Sequence, residues 1–346
     1  MTRLWIALLL ALASLSAQAQ APPEPGIRSL PAPVAGGSID LWFPAAAGGR
    51  PETVGASPVF QGVPARRDAA LPDGRLPLIL LAHGGLRASP HLGDWLAAAL
   101  ARRGHLVLVI PPAAHAEADA AAAVQQVWQR PVDLAMALSA LDAEPELADR
   151  VDRDRVAVVG FFLGGTAALA LGGAELDLAR FRMTCRHHPA SPDCHWFARQ
   201  GVDPAALDLA GIAGSRRDPR IRAVVAVNPE LAASFAPASL AALAVPAVIL
   251  SLGEASDLPP WLDPAPLADA DPGLRPRIIP DAGPFSAFPE CAAAAPALLA
   301  EEGEDDTLCR EPAEGPRAAA HQRIALAIAA ALARSLAGQP ASGPVQ

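Results

Sequence analysis

The stretch that most restricts the fold is Arg155-Val-Ala-Val-Val-Gly-Phe-Phe-Leu-Gly-Gly-Thr166, with the apolar run 167–171 behind it. The continuous apolar run at 156–159 reads as a strand buried on both faces, as in a parallel sheet. Gly160 and Gly164 bracket a tight turn, and alanine and leucine then favour a helix. A strand buried on both faces needs neighbouring strands beside it and helices above and below.

The rest of the chain supplies them. Residues 76–82 form a second buried-strand run, ending at His83-Gly84-Gly85. Residues 90–103 carry Leu92, Trp95, Leu96 and Leu100 at helical spacing, with a stop at Gly104. A strand at 105–110 closes on Pro111-Pro112, and a longer helix follows with Val124, Val127, Trp128, Leu134 and Leu138. Pro131 is expected to kink that helix or to start its second half. Further strands are expected at 221–227, 246–252 and 275–279, before a closing helix over 316–336 with Ile324, Leu326, Ile328 and Leu332. Alternation at this spacing predicts βαβ units in a mostly parallel, doubly wound sheet with helices on both faces. Residues 38–43 alternate like an edge strand ended by Pro44, and 45–74 read as loop. The alternation breaks at 172–219 and 285–316, which read as insertions into a single domain spanning 37–336, and the tail at 337–346 as disordered.

Composition narrows the function classes. Of 346 residues, 52% are hydrophobic and 18% charged, enough for a large core. A net charge of -9 argues against a nucleic-acid partner and a basic membrane patch. The chain has no lysine and no tyrosine, which excludes their chemistry. Arg3, the apolar run 4–12 and Ala17-Gln-Ala19 fit a signal peptide over 1–19, cleaved near Ala19, and the run is too short to span a bilayer. A Pro/Ala-rich lead follows over 20–36. The expected location is therefore periplasmic or extracellular, with no membrane span in the mature chain. An even count of four cysteines suits that compartment. Of the three pairings, the local one is expected: Cys185 with Cys194 and Cys291 with Cys309. A zinc site built from Cys185, Cys194, His187, His188 or His195 is the rival, but no tight C-x-x-C spacing supports it.

Together these segments resemble the secreted bacterial dienelactone-hydrolase-like and platelet-activating-factor-acetylhydrolase-like branch of the α/β-hydrolases. The resemblance rests on Leu41-Trp42-Phe43-Pro44, His83-Gly84-Gly85, Trp128-Gln-Arg-Pro-Val-Asp133, residues 160–165, Arg217-Asp-Pro-Arg-Ile-Arg-Ala-Val-Val225 and the late cysteine segment. It implies an α/β-hydrolase fold and carboxylic-ester hydrolysis by a serine on the G-x-S-x-G elbow, an acid and a histidine, in that order. At the implied positions this chain has Phe162, Ser256 and Pro284. The oxyanion donors implied are the backbone N–H groups of Leu163 and of Gly85 or Leu86.

Phe162 at such an elbow would either plug the site or sit on a turn that has flattened. The glycines 160 and 164 could equally serve close strand–helix packing. His83 is expected to be structural, and His321 to be a surface or capping residue. The leading expectation is a non-catalytic member of the fold, with no cofactor, binding a small apolar or ester-like ligand or a protein partner. The alternatives are an active ester hydrolase using an unidentified nucleophile, with Cys291 as a distant candidate, and a metal hydrolase through His187, His188 and His195.

Overall fold

The computed structural model describes residues 24–31, 38–112, 119–303, 306–312 and 315–337. Among the described residues one ten-stranded sheet forms the centre. Its strands are β1 (Gly26–Pro31), β2 (Ser38–Phe43), β3 (Arg50–Val54), β4 (Val63–Arg67) and β5 (Leu76–Ala82), then β6 (Leu106–Val109), β7 (Val151–Phe161), β8 (Ala223–Val227), β9 (Ala247–Leu252) and β10 (Arg277–Ile279). They lie in the order β10-β9-β8-β7-β5-β6-β2-β1-β4-β3. Every neighbouring pair from β10 to β6 is parallel, whereas β2 runs antiparallel to both β6 and β1.

The helices are α1 (Asp94–Ala101), α2 (Ala120–Ala123), α3 (Gln126–Asp142), α4 (Pro145–Ala148), α5 (Leu163–Gly172), α6 (Leu178–His187), α7 (Pro192–Arg199), α8 (Pro237–Ala241), α9 (Ala265–Ala270), α10 (Ala295–Glu301) and α11 (Arg317–Ala337). Alternate residues of β5 feed two cores. Ile79 and Leu81 pack with Trp95 and Leu96 of α1 and with Ile324 and Ile328 of α11. Leu78 and Leu80 face the other way, with Leu134 and Leu138 of α3 and Leu169 and Leu171 of α5. Each such side chain removed from water contributes roughly 1.5–3 kcal/mol, which is why continuous apolar strands end up central.

The N-terminal third departs from the expectations. The Pro/Ala-rich lead contains β1, so the sheet begins before residue 37. Residues 38–43 are not an edge strand, because β2 sits between β6 and β1. The presumed loop 45–74 contains β3 and β4, which form the margin of the sheet and pair in antiparallel fashion. Their apolar content is low because a margin strand buries little, and each tolerates a proline there. Arg67 ties them by donating to both Glu52 carboxylate oxygens at 2.8 and 2.7 Å.

Elsewhere, α1 begins only at Asp94, and α3 runs as one helix through Pro131. Residues 172–219 contain α6 and α7, joined by the Cys185–Cys194 disulfide. The late segment before α11 carries α10 and the Cys291–Cys309 disulfide. The expected signal peptide and residues 338–346 lie outside the described residues. Among the described residues no helix is long and apolar enough to cross a membrane.

Candidate functional site

The elbow is built by β7 running directly into α5. Phe162 occupies its apex at φ 56° and ψ −123°, so the turn has not flattened. A non-glycine residue there stores on the order of 1–3 kcal/mol of backbone strain. Close packing holds the turn: a Cβ on Gly160 would lie 2.0 Å from the Gly164 carbonyl oxygen, and one on Gly164 would lie 2.3 Å from that of Ala82. The two glycines thus let the helix sit against the sheet, whatever residue stands between them. The Phe162 ring is nearly buried and packs near His83 and Phe288, with centroids 5.8 and 5.9 Å away.

Phe162 belongs to the core on the α1 and α11 side of the sheet and also borders a chamber of about 1280 Å³. The floor comes from the elbow and the loop after β5, and α6 and α7 supply one wall. Phe285, Phe288 and Trp261 line it from the late loops. Pro284, at the position implied for the histidine, also lines the chamber. Ser256, at the position implied for the acid, is exposed and bonds its neighbour Asp257 at 3.2 Å. Leu163 opens α5, so its N–H has no acceptor within the helix and points out of the helix end.

The loop that carries the other expected donors is held by side chains. Arg130, buried in α3, donates to the carbonyls of Gly84 and Gly85 at 2.5 and 2.9 Å. Burial lowers its pKa to about 10, which leaves it charged at neutral pH. The Leu86 N–H donates to the Asp193 carboxylate, so a donor expected to serve an oxyanion is taken by the protein's own acid. Burial raises the Asp193 pKa, opposed by Arg87, the Leu86 N–H and Arg130.

Glu230 completes the floor. A Cβ on Gly85 would lie 3.4 Å from a Glu230 carboxyl oxygen and 3.8 Å from one of Asp193. Burial, and then the Asp193 charge, push Glu230 up to about 8 against the opposing pull of Arg130. The Glu230 N–H donates to the Phe162 carbonyl at 3.2 Å, and the Thr166 hydroxyl donates to the Glu230 carbonyl. Neither Glu230 nor Asp193 was singled out from the sequence, and Arg130 entered only within the quoted segment 128–133, with no role of its own. The usable signal was the Asn228-Pro229 turn at the carboxyl end of a parallel strand, where sites in such sheets gather.

His83 and Trp95 both donate to the Ala287 carbonyl at 2.8 Å. His321 is not a surface residue: it is buried, stacks on Trp95 at 3.8 Å and donates to the Phe288 carbonyl at 2.9 Å. Cys291 is disulfide-bonded and is no free nucleophile. Among the described residues no serine, threonine or cysteine hydrogen-bonds a histidine ring. His187, His188 and His195 belong to no group of three or more side chains, among the described residues, that could hold a metal ion.

No family model matches the sequence, and no curated protein matches it. Among solved structures, the chain is similar to a ferulic acid esterase from Streptomyces cinnamoneus, with a TM-score of 0.55 and 18% identity. The match covers 95% of this chain and 96% of that one. With the parallel sheet and flanking helices, it shows an α/β-hydrolase fold.

Proposed function

We propose that this protein is an exported, catalytically inert member of the α/β-hydrolase fold that binds a small apolar molecule in the chamber above Phe162. The observation that carries this reading is the Phe162 apex. The residue sits at the elbow position and faces an open chamber, yet it offers no group able to attack a carbonyl. Asp193 on the Leu86 N–H supports the reading further, because an anion developing there would meet a carboxylate. The substitutions at Ser256 and Pro284 remove the two partners a nucleophile would need. The two disulfides, the expected signal peptide and the net charge support export and a role away from nucleic acid.

The test is fluorophosphonate labelling of the purified natural protein, read by intact mass, beside a Phe162→Ser/Ser256→Asp/Pro284→His variant. The natural protein is expected to stay unlabelled. An adduct on it would overturn the inert reading, and mapping the adduct would identify the nucleophile.

A further inference from the structure

We propose that Glu230 is the polar anchor of the chamber, and that the ligand is a neutral apolar molecule whose carbonyl oxygen accepts a hydrogen bond from the Glu230 carboxyl. The proposal rests on reading the chamber as a binding site, and it specifies the ligand's chemistry.

The position of Glu230 is built, not incidental. It lies in a turn flanked by two left-handed residues, Asn228 at φ 42° and Leu231 at φ 58°. Asn228 steadies that turn by accepting the Leu252 N–H at 2.7 Å. The backbone of Glu230 is bonded to the elbow on both sides, through Phe162 and Thr166. Its carboxyl is thereby fixed over Gly85, in the chamber floor beside Phe162 and Leu163.

Among the described residues no protein group hydrogen-bonds that carboxyl. The charged groups facing it are Asp193 from α7 and Arg130 from α3. Arg130 is committed to two carbonyls, and Arg87 lies 3.9 Å from Asp193 and over the Trp196 ring. Sunk in the floor next to a second acid, Glu230 holds its proton at neutral pH. A protonated carboxyl donates one hydrogen bond; the neighbouring acceptor, Asp193, is already engaged by the Leu86 N–H and faces Arg87, and Phe162, Phe288, Trp261 and Leu92 offer no side-chain acceptor. The complementary ligand group is therefore an acceptor. An anionic group would meet Asp193, and an ammonium would sit beside Arg130. A carbonyl meets neither penalty.

The experiment titrates three matched probes into the full chain by calorimetry at pH 6, 7.5 and 9.5. They are 2-ethylnaphthalene, 2-acetylnaphthalene and 1-(2-naphthyl)ethylammonium. At pH 6 the ketone is expected to bind roughly three- to tenfold more tightly than the hydrocarbon, the worth of one buried hydrogen bond. That advantage should vanish by pH 9.5, where Glu230 has lost its proton. Glu230→Gln keeps a donor and should retain the preference at all three pH values. Glu230→Leu should bind ketone and hydrocarbon equally. Equal binding of the two by the natural protein at pH 6, tightest binding of the ammonium, or a ketone preference surviving in Glu230→Leu would each overturn the proposal. Failure of all three probes to bind would overturn the chamber reading itself, a separate outcome.

Discussion

At the scale of single residues, position 162 sets backbone strain against side-chain packing. The Phe162 ring is nearly buried, so Phe162→Ala should cost about 3–5 kcal/mol through lost packing. Glycine ordinarily costs more than alanine, but at φ 56° that order should reverse. Phe162→Gly is expected to be the more stable of the two variants by about 1 kcal/mol in chemical denaturation. The usual order would mean that the elbow is not strained at its apex. Phe162 was legible from sequence because two glycines at fixed spacing point to it. Glu230, Asp193 and Arg130 were not, because they come from three distant segments, and only the folded sheet end brings their charges together.

At the scale of elements, the loop over 283–288 is clamped from below by side chains of α1, α11 and the β5 end. Burial holds His83 at about 3 and His321 at about 4, both below the ordinary histidine value. A histidine with a lowered folded pKa binds its proton more readily when unfolded. Stability is then intact above pH 6.5 and lost as the pH falls below it. Between pH 6.5 and 5 each ring should withdraw about 2 kcal/mol, seen as a falling Tm, and a His83→Gln/His321→Gln variant should flatten that slope. An unchanged slope would show that the clamp does not depend on neutral rings.

The segment before α11 has its own fastening. Arg317, at the start of α11, pairs with Glu311 and donates to the carbonyls of Pro289 and Leu308 at 3.0 and 2.7 Å. Glu311 in turn accepts from Ser286 at 2.6 Å. Both charges are buried, so Arg317→Ala should cost about 3–5 kcal/mol in urea unfolding. A loss under 1 kcal/mol would mean that the pair contributes little beyond the neighbouring disulfide.

At the scale of the whole molecule, the central sheet was legible because strands buried on both faces are written as unbroken apolar runs, as in β5 and β7. The margin was not. β3 and β4 carry arginine, glutamate and proline because half of each faces water, and such strings read as loop. β2 was misplaced for a related reason. Its partner β1 hides among prolines, which removed the clue that β2 has neighbours on both sides. The Gly160–Gly164 contact also governs how such a chain can vary through descent. The two glycines are held by the architecture, because any side chain there would collide with backbone, whereas Phe162 at the apex is held by packing that another apolar side chain could supply. The outline of an elbow is therefore a property of the backbone, carried by the two glycines, and does not by itself report what the apex residue does.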